Sequence, residues 1–341
     1  MAVSDIEEQS GEDQPIEVLL LGDLNVDLHL DIPAYPEPGG DGVATRQRMG
    51  FGGSAANTAV LLTRLGVRSA MLACVGDDEW GAQAIDGLTA VGVDTRLVQR
   101  SSTEPTSLNV ITVTPDGERT MFAYRGASAE LTSADVPSDL CGASHVHISG
   151  YALLADPQRA AAEAAATAAR RAGKTVSLDV PVDPVAAVPD VLRAFLANVD
   201  VVSIGTKEAR LLTGEATDEQ AAEAIAGYGP STVALTGGAS GSLLLTVDGF
   251  VRAPVPEVRA IDTTGAGDSF SAGLIFGFLR GFEDPRWTAA MANACGAAAV
   301  GVPGAGAGLP SLDGILTALA ALPAELRHEL TSAVQAKAGA V

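Results

Sequence analysis

Residues 144–236 decide the fold. They read SHVHIS (144–149), an alanine-rich helical run (157–172), KTVSLD (174–179), a helical run near 187–197, VDVVSI (199–204), helical runs near 205–213 and 218–227, and STVALT (231–236). Each short apolar run fits a buried strand, and each is separated from the next by helical periodicity. Repeated strand–helix alternation predicts an α/β protein: a doubly wound, mostly parallel sheet flanked by helices. Toward the N-terminus the rhythm continues. Ile16–Gly22 (IEVLLLG) reads as the first strand, and Ala55, Ala59, Leu62 and Leu65 space a helix that Gly66 ends. A strand (Ala70–Val75), a helix (Asp77–Val91) and a strand near Thr95–Val98 follow. Toward the C-terminus come a hairpin-like pair (Gly241–Thr246, Phe250–Ala253) and, from 265 onward, helices broken only by VGVPGAGAGLPS (300–311).

Two stretches leave this rhythm. Segment 23–50 holds the alternating NVDLHLDI, the breaker-rich PAYPEPGGDG and the polar ATRQRM, and 107–124 places two β-rich runs around Pro115-Asp116-Gly117. Alternation flanking Pro-Asp-Gly is a hairpin signal. The expected organisation is an acidic disordered tail (1–15), one α/β domain (16–335), and a small β-sheet built from about 24–50 and 106–125.

Composition narrows the function classes. Lys and Arg total 21 against 42 Asp and Glu, a formal net charge of −21 over 341 residues. So acidic a chain repels phosphate backbones and anionic lipid, which argues against nucleic-acid and membrane partners. An anionic ligand then needs a local device such as a helix N-terminus. The start, MAVSDIEEQSGEDQ, lacks the basic and apolar regions of a signal peptide. Cys74, Cys141 and Cys295 are odd in number and widely spaced, so no disulfide framework is expected and a reducing cytoplasm is the simpler setting.

Chemistry concentrates in three strings. In Ile261–Gly273 (IDTTGAGDSFSAG), glycines stand where a helix begins, since Phe270, Leu274 and Phe278 follow at helical spacing. Unpaired N–H groups and the helix dipole make such a start an anion hole, and Asp268 in its first turn can accept a proton from a hydroxyl. Read alone, the same string is also an ordinary helix cap. In Gly50–Asn57 (GFGGSAAN), bare glycines admit a ligand to the backbone and Asn57 offers a donor and an acceptor. In Gly22–Asp27 (GDLNVD), Asn25 and Asp27 point the same way beyond the first strand and suit a sugar's vicinal hydroxyls.

These strings resemble the ribokinase-like (phosphofructokinase-B type) carbohydrate kinases: Asp262–Gly273 matches the family's C-terminal signature, and Gly52–Gly66 its N-terminal one. The order of elements agrees from about 16 to 322. The resemblance implies ATP-dependent phosphorylation of a sugar hydroxyl, with Asp268 as base and Gly265, Ala266 and Gly267 as anion hole. It assigns Asn25, Asp27, Gly52, Gly53 and Asn57 to the sugar, and makes the small sheet a lid that also supports a homodimer. For the nucleotide it implies Thr236, Gly238 and Gly241 in a glycine turn, with Thr264, Gly267, Asn293 and Gly304. Mg²⁺ is implied with Glu208 acting indirectly, and a monovalent cation, K⁺, at Asp262 and Thr264.

Three departures stand out. The family's Asn-x-x-Glu is Gly205-Thr206-Lys207-Glu208 here, and Gly150-Tyr151 stands where ribokinases carry a sugar-binding Glu. Tyr124–Ser128 and His147–Gly150 are closer to 2-keto-3-deoxygluconate kinases, yet Leu178–Pro181 lacks the arginine those enzymes place nearby. Arg125 thus reads equally as partner of a substrate carboxylate or as a salt bridge of the small sheet.

The alternatives are a nucleoside kinase, a phosphosugar kinase using Arg46, Arg48 and Arg125, and a sugar-binding regulator without turnover. Phe51, Tyr124 and Tyr151 are the aromatics expected near the site. Gly173-Lys174-Thr175 is no phosphate loop, because it follows a helix and precedes a strand. Gly267-Asp268-Ser269 lacks the downstream partners of a serine triad. His145 and His147 read as core or pocket-wall residues rather than metal ligands.

Overall fold

The computed structural model describes residues 15–116 and 118–338; residues 1–14 of the expected tail and Gly117 of the hairpin signal lie outside the described residues. In chain order the strands are β1 (Val18–Leu21), β2 (Asn25–Asp31), β3 (Arg46–Gly52), β4 (Ser69–Gly76), β5 (Val98–Ser101), β6 (Leu108–Val113) and β7 (Arg119–Tyr124). They continue with β8 (His145–Ser149), β9 (Thr175–Val180), β10 (Val201–Gly205), β11 (Thr232–Thr236), β12 (Ser242–Thr246) and β13 (Gly249–Ala253). The helices are α1 (Ser54–Arg64), α2 (Glu79–Ala90), α3 (Gln158–Arg171), α4 (Val182–Ala187), α5 (Pro189–Phe195) and α6 (Thr206–Thr213). After them come α7 (Asp218–Ala226), α8 (Ala266–Leu279), α9 (Pro285–Val300), α10 (Leu312–Ala320) and α11 (Ala324–Ala338).

Nine strands form the main sheet in the order β13-β12-β11-β10-β9-β8-β1-β4-β5, parallel except where β12 pairs β11 and β13. Successive side chains of β1 point to opposite faces. Val18 and Leu20 accordingly enter one core with residues of α1, α8 and α9, while Leu19 and Leu21 enter the other with the alanines of α3. Burial on both sides explains why these strands read as unbroken apolar runs. From β1 the chain winds outward through β4 and β5, then returns to build β8, β9, β10 and β11 on the other side. The direction reverses between β1 and β8, and open α/β sheets bind ligands in the crevice beyond such a point.

A second sheet, β3-β2-β6-β7, stands apart, with β2 and β6 parallel and the outer pairs antiparallel. Its strands come from the two stretches whose polar alternation set them apart in the sequence, with β3 running on past residue 50 to Gly52. Asp27 lies opposite Gly50 and Asn109 on one face; Leu28 on the other face lies in a row with Met49, Val110 and Phe122.

Both strand histidines are core residues. His145 Nδ1 is 2.7 Å from Thr175 Oγ1, its Nε2 is 2.7 Å from Ser177 Oγ, and His147 Nδ1 is 2.8 Å from the same oxygen. Burial drives both imidazoles down to about 3, so both are neutral at physiological pH. The three cysteines are free. No helix among the described residues is long and apolar enough to cross a membrane.

Candidate functional site

A cleft of about 640 Å³ opens where the winding reverses, between the carboxyl ends of the main sheet and the inner face of the small one. Its floor is the start of α8. Gly265 caps that helix at φ +75°, a conformation glycine reaches without the penalty other residues carry. A Cβ there would stand 2.9 Å from Leu309 Cδ2, whereas one on Gly267 would meet nothing within 4 Å. The backbone of Gly267 is therefore bare toward the cleft, and Gly265, Gly267 and Asp268 line it together.

Asn57 organises the carboxylate. Its Nδ2 donates to Asp268 Oδ2 at 2.7 Å, and its Oδ1 accepts from the Gly306 N–H at 2.9 Å. One buried amide thus joins α1, α8 and the glycine loop before α10. Thr58 Oγ1 also donates to the Asp268 carbonyl at 3.3 Å. Burial pushes the Asp268 carboxyl upward, against hydrogen bonds from Asn57 and Ser54 that favour its charged form.

The opposite wall comes from β2 and the loop before α1. Asn109 Nδ2 donates to Asp27 Oδ1 at 2.9 Å. Burial pushes Asp27 up to about 6, over the opposing bonds from Asn109 and Asn25. Asn25 Oδ1 is buried without a partner. Gly52 is glycine for a visible reason, since a Cβ would fall 2.1 Å from Asp27 Oδ2. Gly53 sits at φ +110° with Asp23 O at 2.1 Å from a Cβ's place. Asn25, Asp27, Gly53, Asn57 and Asp268 share the cleft lining, and Gly52 packs directly behind Asp27.

Arg125 also lines the cleft, but it is engaged. Its Nη2 donates to Asp23 Oδ1 at 3.0 Å and bonds Gln158 Oε1, while Gln158 Nε2 donates to Asp23 Oδ1 at 2.8 Å. Of its two sequence readings, the structure contains the salt bridge. Arg48 is likewise paired, with Asp31 at 3.3 Å.

At the mouth, Asp262 Oδ1 accepts from the Thr264 N–H (2.9 Å) and hydroxyl (2.7 Å), and Oδ2 from the Gly304 N–H (3.0 Å). Burial works against its charge, yet these bonds and nearby Arg119 hold it below the ordinary carboxylate value. Thr236, Gly205 and Glu208 line the cleft as well. Gly238 and Gly241 form the tight turn after β11, at φ +56° and +83°, and neither lines the cleft. Asn293 is buried, with Nδ2 donating to the carbonyls of Ala253 (2.9 Å) and Pro254 (3.0 Å). Its amide hydrogens hold α9 to the end of β13.

Two residues answer differently from the sequence reading. Phe51 does not face the cleft; its ring lies against Gly87 and Gly306, where a Cβ would meet it at 2.6 and 3.1 Å. Side chains alternate along β3, so Phe51 turns its ring away from the face Gly50 and Gly52 present to Asp27. Arg119, which no motif marked, reaches from β7 across the mouth and donates from Nη1 to Thr264 Oγ1 at 2.6 Å. A basic residue on a strand ending at a hairpin carries no local signal.

Comparison with known proteins agrees with this architecture. The sequence model of the pfkB family carbohydrate kinases matches residues 16–312. Aminoimidazole riboside kinase of Salmonella typhimurium is 30% identical over 300 residues, covering 84% of this chain and 91% of that one. The 2-dehydro-3-deoxygluconokinase of Bacillus subtilis is 33% identical over 285 residues, covering 80% and 87%. A solved E. coli structure described as a ribokinase II in complex with ATP and Mg²⁺ superimposes with a TM-score of 0.77 at 27% identity, covering 89% of this chain and 99% of that one. The chain belongs to the pfkB family of carbohydrate kinases.

Proposed function

We propose that this kinase transfers the γ-phosphoryl group of ATP to a hydroxyl of a small, uncharged carbohydrate. The observation that carries the reading is the convergence of Asp268, Gly265, the bare backbone of Gly267 and the Asn25–Asp27 pair on one cleft, while the Ala266 N–H is taken by the Thr263 carbonyl at 3.3 Å. Asp268, oriented by Asn57, accepts the hydroxyl proton as the new O–P bond forms. The N–H groups at the start of α8 face the charge that develops on the phosphoryl oxygens. Asp27 and the unpartnered Asn25 Oδ1 accept from sugar hydroxyls and fix which one meets Asp268. The small sheet serves as a lid whose closure excludes competing water.

ATP phosphates would lie along Thr236, Thr264 and Gly267, with the turn at Gly238 and Gly241 and the segments at Asn293 and Gly304 supporting the nucleotide side. When bound, Mg²⁺ would neutralise phosphate charge, and Glu208, one of the acidic side chains lining the cleft, would hold its water shell. Asp262 and Thr264 offer oxygens for a monovalent cation beside the anion hole. An uncharged acceptor is favoured because Arg125 is already paired with Asp23, which leaves a sugar acid's carboxylate without that partner. A riboside is the second reading, supported by the apolar wall of Ile111, Met121 and Tyr124 in the cleft.

The test is coupled ADP release with Mg-ATP across ribose, fructose, 2-keto-3-deoxygluconate, adenosine and fructose 6-phosphate. Turnover with a neutral sugar well above the no-acceptor rate supports the reading. Turnover only with the sugar acid or phosphosugar overturns the uncharged acceptor, and binding without turnover makes the chain a sensor. The exposed row of Met49 (46%) and Phe122 (62%) on the lid's outer face supports a homodimer through the lid; a monomer by light scattering at working concentration refutes that part.

A further inference from the structure

Arg64 is the last residue of α1 and stands seven positions after Asn57, so both lie on one stripe of that helix. Its guanidinium is half-buried and bonded to no carboxylate among the described residues. It donates instead to three backbone carbonyls of the glycine loop before α10. Nη2 reaches the Ala307 carbonyl at 2.9 Å, and Nη1 bonds the carbonyls of Pro310 (3.2 Å) and Leu309. Burying a charge is costly unless hydrogen bonds offset it, and bonds from a charged donor are the stronger kind. Arg64 is therefore placed as a clamp on that loop.

The loop so held meets the surroundings of the catalytic carboxylate at three places. The Gly304 N–H donates to Asp262 Oδ2 at 3.0 Å, and the Gly306 N–H to Asn57 Oδ1 at 2.9 Å. Leu309 packs on Gly265, its Cδ2 lying 2.9 Å from where a Cβ would stand. The loop's own backbone bonds run from the Gly308 N–H to the Ala305 carbonyl (3.0 Å) and from the Leu309 N–H to the Gly306 carbonyl (3.2 Å). They close one short turn and tie it to no other element. Its polar ties to α1 are Asn57 at one end and Arg64 at the other, and Asn57 Nδ2 passes the constraint on to Asp268 Oδ2 at 2.7 Å.

We propose that Arg64 is a positioning residue for phosphoryl transfer: its guanidinium, spread over the carbonyls of Ala307, Leu309 and Pro310, fixes the glycine loop so that the Gly306 N–H holds Asn57 and Asn57 aims Asp268 at the acceptor hydroxyl. The inference rests on Asp268 being the base. Arg64 is absent from the cleft lining and touches neither substrate; its influence runs through the loop and one amide.

The test combines Arg64→Ala and Arg64→Lys with a double-mutant cycle and amide hydrogen exchange on the full chain. With the acceptor that gives the highest turnover in the coupled assay, Arg64→Ala lowers kcat roughly 10- to 100-fold and leaves that acceptor's Kd within about twofold. Exchange of the Gly304 and Gly306 amides speeds at least about tenfold. On an Asn57→Ala background the same substitution lowers kcat by less than about threefold, because the route through Asn57 is already cut. Arg64→Lys keeps the charge but offers one donor centre in place of two, so its kcat and exchange fall between those of wild type and the Ala variant; it carries the same readouts should the Ala variant not fold. Unchanged kcat, unchanged exchange at the two glycines, or a full additional loss on the Asn57→Ala background each overturns the proposal. Should Asp268→Asn leave turnover unchanged, the base reading fails, while exchange at Gly304 and Gly306 still reports the clamp.

Discussion

Replacing Asn57 by Ala tests the claim that one amide holds the catalytic geometry together. Asn57 is buried, with 4% of its surface exposed, and both ends of its amide are in use. The substitution removes a hydrogen bond to a carboxylate, worth about 1.5–3 kcal/mol, and leaves the Gly306 N–H without its acceptor, which costs about 1–3 kcal/mol. The two effects share one side chain and do not simply add, so a loss of about 3 kcal/mol is expected. With a urea m-value of about 3 kcal/mol/M, the unfolding midpoint falls by about 1 M. Function shifts in a definite direction. The Asn57 N–H favours ionised Asp268, so without it the carboxyl keeps its proton to higher pH and the acid limb of kcat/KM moves upward. Equilibrium unfolding and a pH–rate profile measure both effects. A stability change under about 0.5 kcal/mol with an unmoved acid limb would refute the reasoning, because loss of such a buried bond cannot be silent.

Three further outcomes are expected. Asp268→Asn lowers turnover roughly 10²–10⁴-fold while sugar binding by calorimetry survives; unchanged turnover would remove it as the base. Arg119→Ala lowers kcat roughly 10- to 100-fold with little change in sugar affinity, because its guanidinium is bonded to Thr264, at the end of the cleft proposed for the phosphates; a weaker sugar Kd at constant kcat would place it on the sugar instead. Gly52→Ala drives a methyl group into Asp27, so sugar affinity falls at least about tenfold and stability by about 1–3 kcal/mol; wild-type affinity would show that Asp27 does not hold the sugar.

The order of elements was readable because the inner strands of the main sheet are buried on both faces and helices such as α3 on one, and those two periodicities are written in the chain itself. The start of α8 was readable for the same kind of reason: glycine at φ +75° followed by a helix is a local event. What could not be read was which local pieces meet. Asn57 and Asp268 are separated by 211 positions, and Ser54 and Asp179 by 125. Periodicity shows that a residue faces inward, not which carboxyl waits there. Phe51 shows the same gap, since a residue beside two cleft glycines faces the opposite way and packs on Gly306, more than 250 positions later.

Gly205 makes the point from the other side. In the sequence it reads as a loss, an asparagine missing from a metal-handling segment. Its backbone, at φ −66° and ψ 149°, suits any residue and would accept asparagine as a helix cap. What a side chain at 205 would meet is Glu208, whose Oε2, the end of a flexible side chain, lies 2.0 Å from where a Cβ would stand. The carboxylate of Glu208 has folded over the bare Cα and occupies the volume a side chain would take, at the edge of the same cleft. Installing an asparagine at 205 would expel Glu208 from its present place rather than give it a companion, and whatever Glu208 holds would move with it.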